Sequence, residues 1–147
     1  MIQILLVCHG RFAEGVLDTL RMVCGSDFGI RALSLMPGVS PEEYRQLLST
    51  ALEECEAIDS RGTLVLADIA GGTPFNSAVY LTSRHCMGIV AGVNVAAVMA
   101  LALEREENDT IETLLEKARN ALAMGMRFIN SKDVRGERHA RLSARKD

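Results

Sequence analysis

Short runs of apolar residues alternate along this chain with longer stretches in which apolar residues recur at helical spacing, and this alternation constrains the fold most strongly. The runs lie at residues 2–8, 30–36, 63–68 and 87–92. Runs that are apolar at nearly every position are typical of parallel strands covered on both faces. The pattern predicts an α/β fold: a doubly wound, mainly parallel four-stranded sheet of order 2-1-3-4, with helices on both faces.

Capping signatures predict where three of the helices begin. They are Ser40 with Pro41 and Glu43, Thr73 with Pro74, and Asp109 with Glu112. In each, a short polar side chain can accept a hydrogen bond from the free N–H groups of the first helical turn. Another helix is predicted at residues 12–22, and the last at residues 108–129. The residues predicted to face the sheet from the first helix are Phe12, Val16, Leu20 and Val23.

Composition argues against several classes of function. The chain has 147 residues, no Trp, a formal net charge of −3 and a pI of about 5.6. It therefore lacks the basic surface and the aromatic stacking residues that nucleic-acid binding uses. The longest apolar run, residues 89–103, is shorter than the roughly 20 residues of a membrane-spanning helix and is predicted to divide into a strand, a turn and a helix. The sequence begins without a basic leader, so we expect a cytoplasmic protein.

The spacing of the four cysteines argues against a metal site. Cys8, Cys24, Cys55 and Cys86 form no C-x-x-C pair, and no histidine stands at a zinc-ligand spacing from them. We predict reduced thiols that pack as small apolar side chains.

Two reactive side chains follow the first and third apolar runs. His9 comes after the first run, and Asp68 ends the third. Ligands of open parallel sheets bind beyond the carboxyl ends of the strands, and the predicted order makes strands one and three neighbours. We therefore expect His9 and Asp68 to lie side by side. A carboxylate that holds one imidazole nitrogen leaves the other free to attack, and it stabilises the cation that forms.

The glycine-rich segment after the third run predicts an anion-binding turn. Gly71 and Gly72 allow backbone N–H groups to approach a ligand closely, and the helix that follows directs its positive end there. Thr73 adds a hydroxyl group. With Gly10, which follows the histidine, these glycines form the predicted phosphoryl-binding set.

Purely structural roles remain open for the same residues. A histidine at a strand end often serves only as a hydrogen-bonding group, and a Gly-Gly-Thr-Pro segment often only starts a helix. Neither a Walker-A nor a Rossmann glycine motif is present, so a nucleotide site lacks support. His85 is predicted to lie in a surface loop.

Three segments carry a resemblance to a known family. They are VCHGRFAEGVLDTL, LADIAGGTPFNSA and IVAGVNVAAVMALAL. In this order and spacing they resemble the IIA domain of the mannose family of the sugar phosphotransferase system. Members of that family have a strand ending in His-Gly, an Asp followed by Gly-Gly-Ser/Thr-Pro, and an Ala-Gly-Val/Thr-Asn turn. The resemblance covers residues 1–129.

The resemblance implies a phosphocarrier. His9 would accept a phosphoryl group from the phosphohistidine of the carrier protein HPr and pass it to a histidine of a IIB subunit during sugar uptake. Asp68 would orient His9, and Thr73 would lie near the phosphate. The reaction would need no metal and no cofactor. Membrane IIC and IID components would be indirect partners, and IIB is expected on a separate chain.

The resemblance also implies an assembly. Residues 1–130 would form the IIA domain, and residues 131–147 would form a C-terminal strand and a basic tail. Family members are homodimers in which this strand pairs into the sheet of the other subunit. The segment INSKDV, residues 129–134, is where we expect such a swapped edge strand.

The chain departs from the family pattern at two places, and other functions compete. Val95-Ala96-Ala97 stands where many members have Leu-Pro-Met, and Ala70 stands where a bulkier residue is frequent. The main alternative is a regulatory module that is phosphorylated on His9 and controls transcription or metabolism. A receiver-like domain phosphorylated on Asp68 would need an acidic pair at the end of strand one. An enzyme pairing Cys8 with His9 is disfavoured because neighbouring strand residues point to opposite faces.

Overall fold

A computed structural model of the chain describes residues 1–131. Within this range the elements follow one another as β1 (Gln3–His9), α1 (Phe12–Cys24), β2 (Arg31–Leu35), α2 (Pro41–Ile58), β3 (Thr63–Ala67), α3 (Thr73–Leu81), β4 (Met87–Ala91), α4 (Val95–Glu104) and α5 (Ile111–Met124). The strands form one sheet of order β2-β1-β3-β4, and all three pairings are parallel. The predicted fold class and strand order are confirmed.

Side chains of β1 alternate between two hydrophobic cores, one on each face of the sheet. Ile4, Leu6 and Cys8 are buried in the core formed with α1, α4 and α5. Leu5 and Val7 are buried in the core formed with α2 and α3. This alternation explains the continuous apolar run, because both faces of a central strand are covered.

The buried face of α1 differs from the prediction. Val16 and Leu20 are buried as expected, but Phe12 is 41% exposed and Val23 is 63% exposed. The remaining buried positions are Ala13 and Leu17. Positions 13, 16, 17 and 20 lie on one stripe of a helix, whereas positions 12 and 23 lie on its flanks.

Ser40 caps α2 and Pro41 begins it, as predicted, whereas the cap of α5 is shifted by one residue. Ser40 Oγ accepts a hydrogen bond from the backbone N–H of Glu43 at 3.1 Å. In α5 the capping box joins Thr110 and Thr113, so the predicted box at Asp109 is wrong. The carboxylate of Asp109 instead accepts from the hydroxyl of Thr113 at 2.9 Å. A polar triplet of residues before a helix offers several possible caps, and the tertiary contacts select one of them.

The last helix ends earlier than predicted. It stops at Met124 instead of residue 129, and exposed apolar side chains follow it, namely Met126, Phe128 and Ile129. Residues 132–134, half of the predicted swapped strand, and all of the basic tail lie outside the described residues, and residues 129–131 form no strand. No helix within residues 1–131 is long and apolar enough to cross a membrane.

Candidate functional site

His9 and Asp68 meet at the carboxyl-terminal edge of the sheet. β1 ends at His9, and Asp68 directly follows β3. Val7 and Ala67 are paired in the parallel register of β1 and β3, so the residues that follow them lie side by side at one edge of the sheet. One carboxylate oxygen, Oδ2 of Asp68, accepts the backbone N–H of His9 at 2.8 Å and lies 3.0 Å from the ring atom Nδ1. The structure therefore brings together the two residues that the sequence pattern placed at neighbouring strand ends.

The environment of Asp68 favours its charged form. Its side chain is 12% exposed, and this burial alone would raise its pKa. The N–H groups of His9 and Ile69 and the ring of His9 outweigh burial, and the pKa lies below its usual value. An ionised carboxylate only accepts hydrogen bonds, so Nδ1 of His9 carries a proton, and in the neutral ring the lone pair is therefore on Nε2. The side chain of His9 is 40% exposed, and within residues 1–131 Nε2 makes no hydrogen bond.

The start of α3 differs by one residue from the prediction. The N-cap is Gly72, and Thr73 is already the first helical residue, so the prediction that Thr73 caps the helix is wrong. Proline is accepted in the first helical turn, so Pro74 allows the helix to begin one residue before it. Thr73 is thus free of a capping role, and within residues 1–131 its hydroxyl makes no hydrogen bond.

Gly72 packs directly against the imidazole ring. A Cβ atom at this position would lie 2.6 Å from Cε1 and 3.2 Å from Nε2 of His9, so no larger residue fits without displacing the ring. The free edge of His9 therefore faces the N-terminus of α3. The N–H groups of Thr73 and Phe75 belong to the first turn, where helical geometry provides no acceptor. Such groups favour an anion.

The turn before α3 depends on a residue that the sequence analysis missed. Gly71 has φ +80°, a left-handed conformation that favours glycine. The side-chain Nδ2 of Asn76 donates to the carbonyl oxygen of Gly71 at 2.8 Å, and the backbone N–H of Asn76 donates to the carbonyl oxygen of Gly72 at 2.9 Å. The available signal was a short polar residue with low helix propensity inside the predicted helix.

Gly10 shapes the site through its backbone conformation. Its φ is +54°, and its N–H donates to the carbonyl oxygen of Leu35 at 2.9 Å. That donor is already used, so Gly10 contributes the turn rather than a free N–H group. An open cavity of about 380 Å³ lies beside His9 and Gly10. The loop after β2, which the sequence analysis did not single out, completes its lining with Met36, Pro37, Gly38 and Val39.

Cys8 is not a competing nucleophile. It is fully buried beside α1, and this burial, together with the negative charge of Asp68, raises the pKa of its thiol to about 12. The thiolate that would attack a substrate is therefore scarce at neutral pH. Cys55 is buried as predicted, but Cys86 is exposed, which corrects the prediction for that residue. No metal-binding group of three or more His, Cys, Asp or Glu residues occurs within the described part of the chain.

His85 lies in the loop after α3, as predicted, but the prediction that it is a surface residue is wrong. Its side chain is only 6% exposed. Nδ1 lies 3.0 Å from Oε1 of Glu56, and Nε2 lies 3.2 Å from Oγ of Ser49. Both partners belong to α2, so His85 joins the loop after α3 to that helix. Neither ring nitrogen is left free, in contrast to His9.

Comparisons with known proteins identify the family. The chain matches the EIIA-man family, described as PTS system fructose IIA component, over residues 3–119. It is 26% identical over 135 residues to the PTS system mannose-specific EIIAB component of Escherichia coli (strain K12), with 90% of this chain and 41% of that protein covered. It thus spans about two fifths of that relative's length.

A second relative and a solved structure agree with this match. The chain is 30% identical over 111 residues to the PTS system fructose-specific EIIA component of Bacillus subtilis (strain 168), with 72% of each covered. The mannose/sorbose specific IIA subunit of the phosphotransferase system from Enterococcus faecalis has a similar structure, with a TM-score of 0.78 and 27% identity, over 88% of this chain and 95% of that one. The chain therefore belongs to the EIIA-man family of sugar phosphotransferase-system IIA components.

Proposed function

We propose that this protein is a phosphocarrier that accepts a phosphoryl group from phospho-HPr on Nε2 of His9 and passes it to a IIB subunit during sugar uptake. The observation that carries the proposal is the 3.0 Å contact between Nδ1 of His9 and Asp68, which leaves Nε2 free beside the start of α3. Membership of the EIIA-man family supports the sugar phosphotransferase system as the setting.

In the proposed step the lone pair of Nε2 attacks phosphorus while the N–P bond of the donor phosphohistidine breaks. The electron pair of that bond returns to the donor imidazole, and the proton on Nδ1 of His9 stays in place. The positive charge that develops on the His9 ring faces the carboxylate of Asp68. Donor and acceptor are both imidazoles, so the transfer is nearly balanced in free energy. Positioning and charge stabilisation then supply the catalysis.

The start of α3 is the proposed phosphoryl-binding element. The free N–H groups of Thr73 and Phe75 lie in the first turn of α3, directly after Gly72, and Gly72 packs against the ring of His9. The hydroxyl of Thr73 is a further donor, because no capping bond occupies it. Gly71 and Gly10 provide the two turns that bring these groups and His9 together.

The surface near His9 supports a protein as donor and acceptor. Phe12, Met36 and Ile69 are apolar, and each is between 38% and 57% exposed. Exposed apolar side chains beside a reactive group are typical of protein interfaces. We place the transfer in the cytoplasm, with residues 1–130 as the IIA domain. The exposed apolar residues after α5 support the proposed homodimer.

The test is phosphoryl transfer in vitro, followed by intact mass. Phosphoenolpyruvate, enzyme I and HPr are mixed with the wild-type protein, with His9→Ala and with His85→Ala as the histidine control. We expect one acid-labile phosphate on the wild type and on His85→Ala, and none on His9→Ala. Absence of phosphate on the wild type, when HPr is itself phosphorylated, would contradict the proposal.

A second step separates transport from regulation. Purified phosphoprotein is mixed with a IIB protein of the mannose family, and the phosphate on each chain is followed by mass. Transfer to IIB is expected of a transport component. A phosphoprotein that never gives its phosphate to IIB would favour the regulatory alternative.

A further inference from the structure

Asn76 holds both carbonyl groups of the glycine pair that lies against His9. Its side-chain Nδ2 donates to Gly71 at 2.8 Å, and its backbone N–H donates to Gly72 at 2.9 Å. Among the residues that the structure describes, its side chain makes no hydrogen bond to His9 or Asp68. We propose that Asn76 is a positioning residue for phosphoryl transfer at His9, an inference that rests on the proposed function.

The physical reason lies in the charge of the transferred group. A phosphoryl group is an anion, so it is attracted by N–H groups and repelled by carbonyl oxygens. The peptide unit between Gly71 and Gly72 is planar, so the direction of its carbonyl fixes the direction of the whole unit. The hydrogen bond from Asn76 therefore prevents the carbonyl oxygen of Gly71 from turning towards the anion on His9.

The glycine pair needs this restraint more than other turns do. Glycine populates left-handed and right-handed conformations almost equally, so a Gly-Gly turn rotates easily when nothing holds it. Gly71 has φ +80°, and larger residues are excluded at Gly72 by the ring of His9. The side chain that restrains the turn must therefore come from elsewhere, and Asn76 supplies it from the first turn of α3.

A role limited to helix stability is the competing explanation. Asn76 is exposed, and asparagine has lower helix propensity than alanine. Replacing it with alanine removes the side-chain bond but keeps the backbone bond and improves the propensity. Asn76→Ala is therefore expected to fold.

The test compares Asn76→Ala with Thr82→Ala in the full chain. Thr82 lies at the other end of α3, and its hydroxyl also donates to a backbone carbonyl oxygen, that of Val79, at 2.8 Å. Initial rates of phosphate uptake are measured by intact mass over a series of phospho-HPr concentrations. Loss of one preorganised donor to the transition state lowers the rate about 100-fold or more. Asn76 does not contact the phosphoryl group and acts only through the Gly71–Gly72 peptide unit, so a smaller loss is expected. We expect a maximal rate about 10-fold lower for Asn76→Ala, with the half-saturating HPr concentration unchanged, and no change for Thr82→Ala.

A spectroscopic measurement reports on the turn itself. In the wild type, the amide proton of Gly72, which belongs to the same peptide unit as the carbonyl group that Asn76 holds, is expected to move downfield when His9 is phosphorylated, because the restrained unit directs it towards the phosphoryl oxygens. In Asn76→Ala this shift should be smaller. Asn76→Leu, which is close to asparagine in size and carries neither a donor nor a charge, should behave like Asn76→Ala and is measured if the alanine variant fails to fold.

The outcomes are distinguishable. If the wild type takes up no phosphate from phospho-HPr, the proposed function fails. If the wild type is phosphorylated and Asn76→Ala matches it in rate and amide shift, the inference about Asn76 is wrong. A rate loss shared with Thr82→Ala, or one that appears only as a raised half-saturating concentration, would assign Asn76 a structural or docking role instead.

Discussion

Oδ2 of Asp68 accepts two hydrogen bonds from the same residue, His9: one from the backbone N–H at 2.8 Å and one from the ring Nδ1 at 3.0 Å. The main chain and the side chain of His9 thus share one carboxylate oxygen as an acceptor, and Nδ1 also lies 3.2 Å from Oδ1. The other oxygen, Oδ1, accepts from the backbone N–H of Ile69 at 2.8 Å. The position of the ring and the choice of its protonated nitrogen are therefore set together.

Replacing Asp68 with asparagine is expected to slow phosphorylation at least about 100-fold. Each carboxylate oxygen of Asp68 accepts a hydrogen bond from a backbone N–H group. In either orientation, the NH₂ group of an asparagine would therefore replace an acceptor and point at a backbone N–H group or at the ring of His9. When it faces Nδ1, the proton moves to Nε2 and the nucleophile is lost. Single-turnover uptake from phospho-HPr measures the rate, and Asp18→Asn, at an exposed position of α1, is the control. An Asp68→Asn protein that is phosphorylated at the wild-type rate would refute the orienting role.

Replacing Gly72 with alanine is expected to reduce the phosphorylation rate at least about 10-fold while the fold is retained. The added Cβ would lie 2.6 Å from Cε1 of His9, so the ring must move. A displaced nucleophile loses the alignment on which transfer depends. Gly15→Ala is the matched control, because a Cβ at Gly15, near the start of α1, has no neighbour within 4 Å. Equal rates for the two variants would show that contact with Gly72 does not position the ring.

The Asp68 carboxylate is expected to make the stability depend on pH in the acid range. Its pKa is lower in the folded protein than in the unfolded chain, so it stabilises the fold above its unfolded pKa of about 3.9. This contribution is lost as the pH falls through the folded pKa. Urea unfolding of the wild type and Asp68→Asn at several pH values measures it. The difference in unfolding free energy should shrink below about pH 4, and a difference that grows on acidification would reverse the assigned direction.

Replacing His85 with alanine is expected to lower the free energy of unfolding by about 1–3 kcal/mol and to leave phosphorylation unchanged. The ring is 6% exposed and contacts Glu56 and Ser49, so its loss leaves both groups without their partner. Urea unfolding and phosphate uptake are measured on the same preparation. Loss of phosphate uptake in a folded His85→Ala protein would give this histidine a role in transfer.

The features that follow from strand periodicity could be predicted from the sequence. The apolar runs gave the elements, and the parallel order placed His9 beside Asp68, because residues that follow neighbouring strands share one edge. No detailed packing is needed for that inference. The same reasoning could not show that Gly72 touches the ring, since this depends on the exact residue at which α3 begins.

The remaining features depend on contacts between distant segments. Burial of His85 is created by Glu56 and Ser49, which lie 29 and 36 residues away in sequence. The loop after β2 joins the site only because Gly10 bonds to Leu35 across neighbouring strands. Asn76 was hidden because an exposed polar residue on a helix is ordinarily a solvated one. For each of these residues, the contacting partner can be identified only when the path of the backbone is known.

The nitrogen that carries the phosphate tests the central claim most directly. The protein is labelled with ¹⁵N-histidine and phosphorylated by phospho-HPr. Long-range ¹H–¹⁵N and ³¹P spectra then identify the linkage atom of His9. Because Asp68 occupies Nδ1, phosphate is expected on Nε2, with the proton retained on Nδ1. Phosphate on Nδ1, or on a histidine other than His9, would contradict the proposed mechanism.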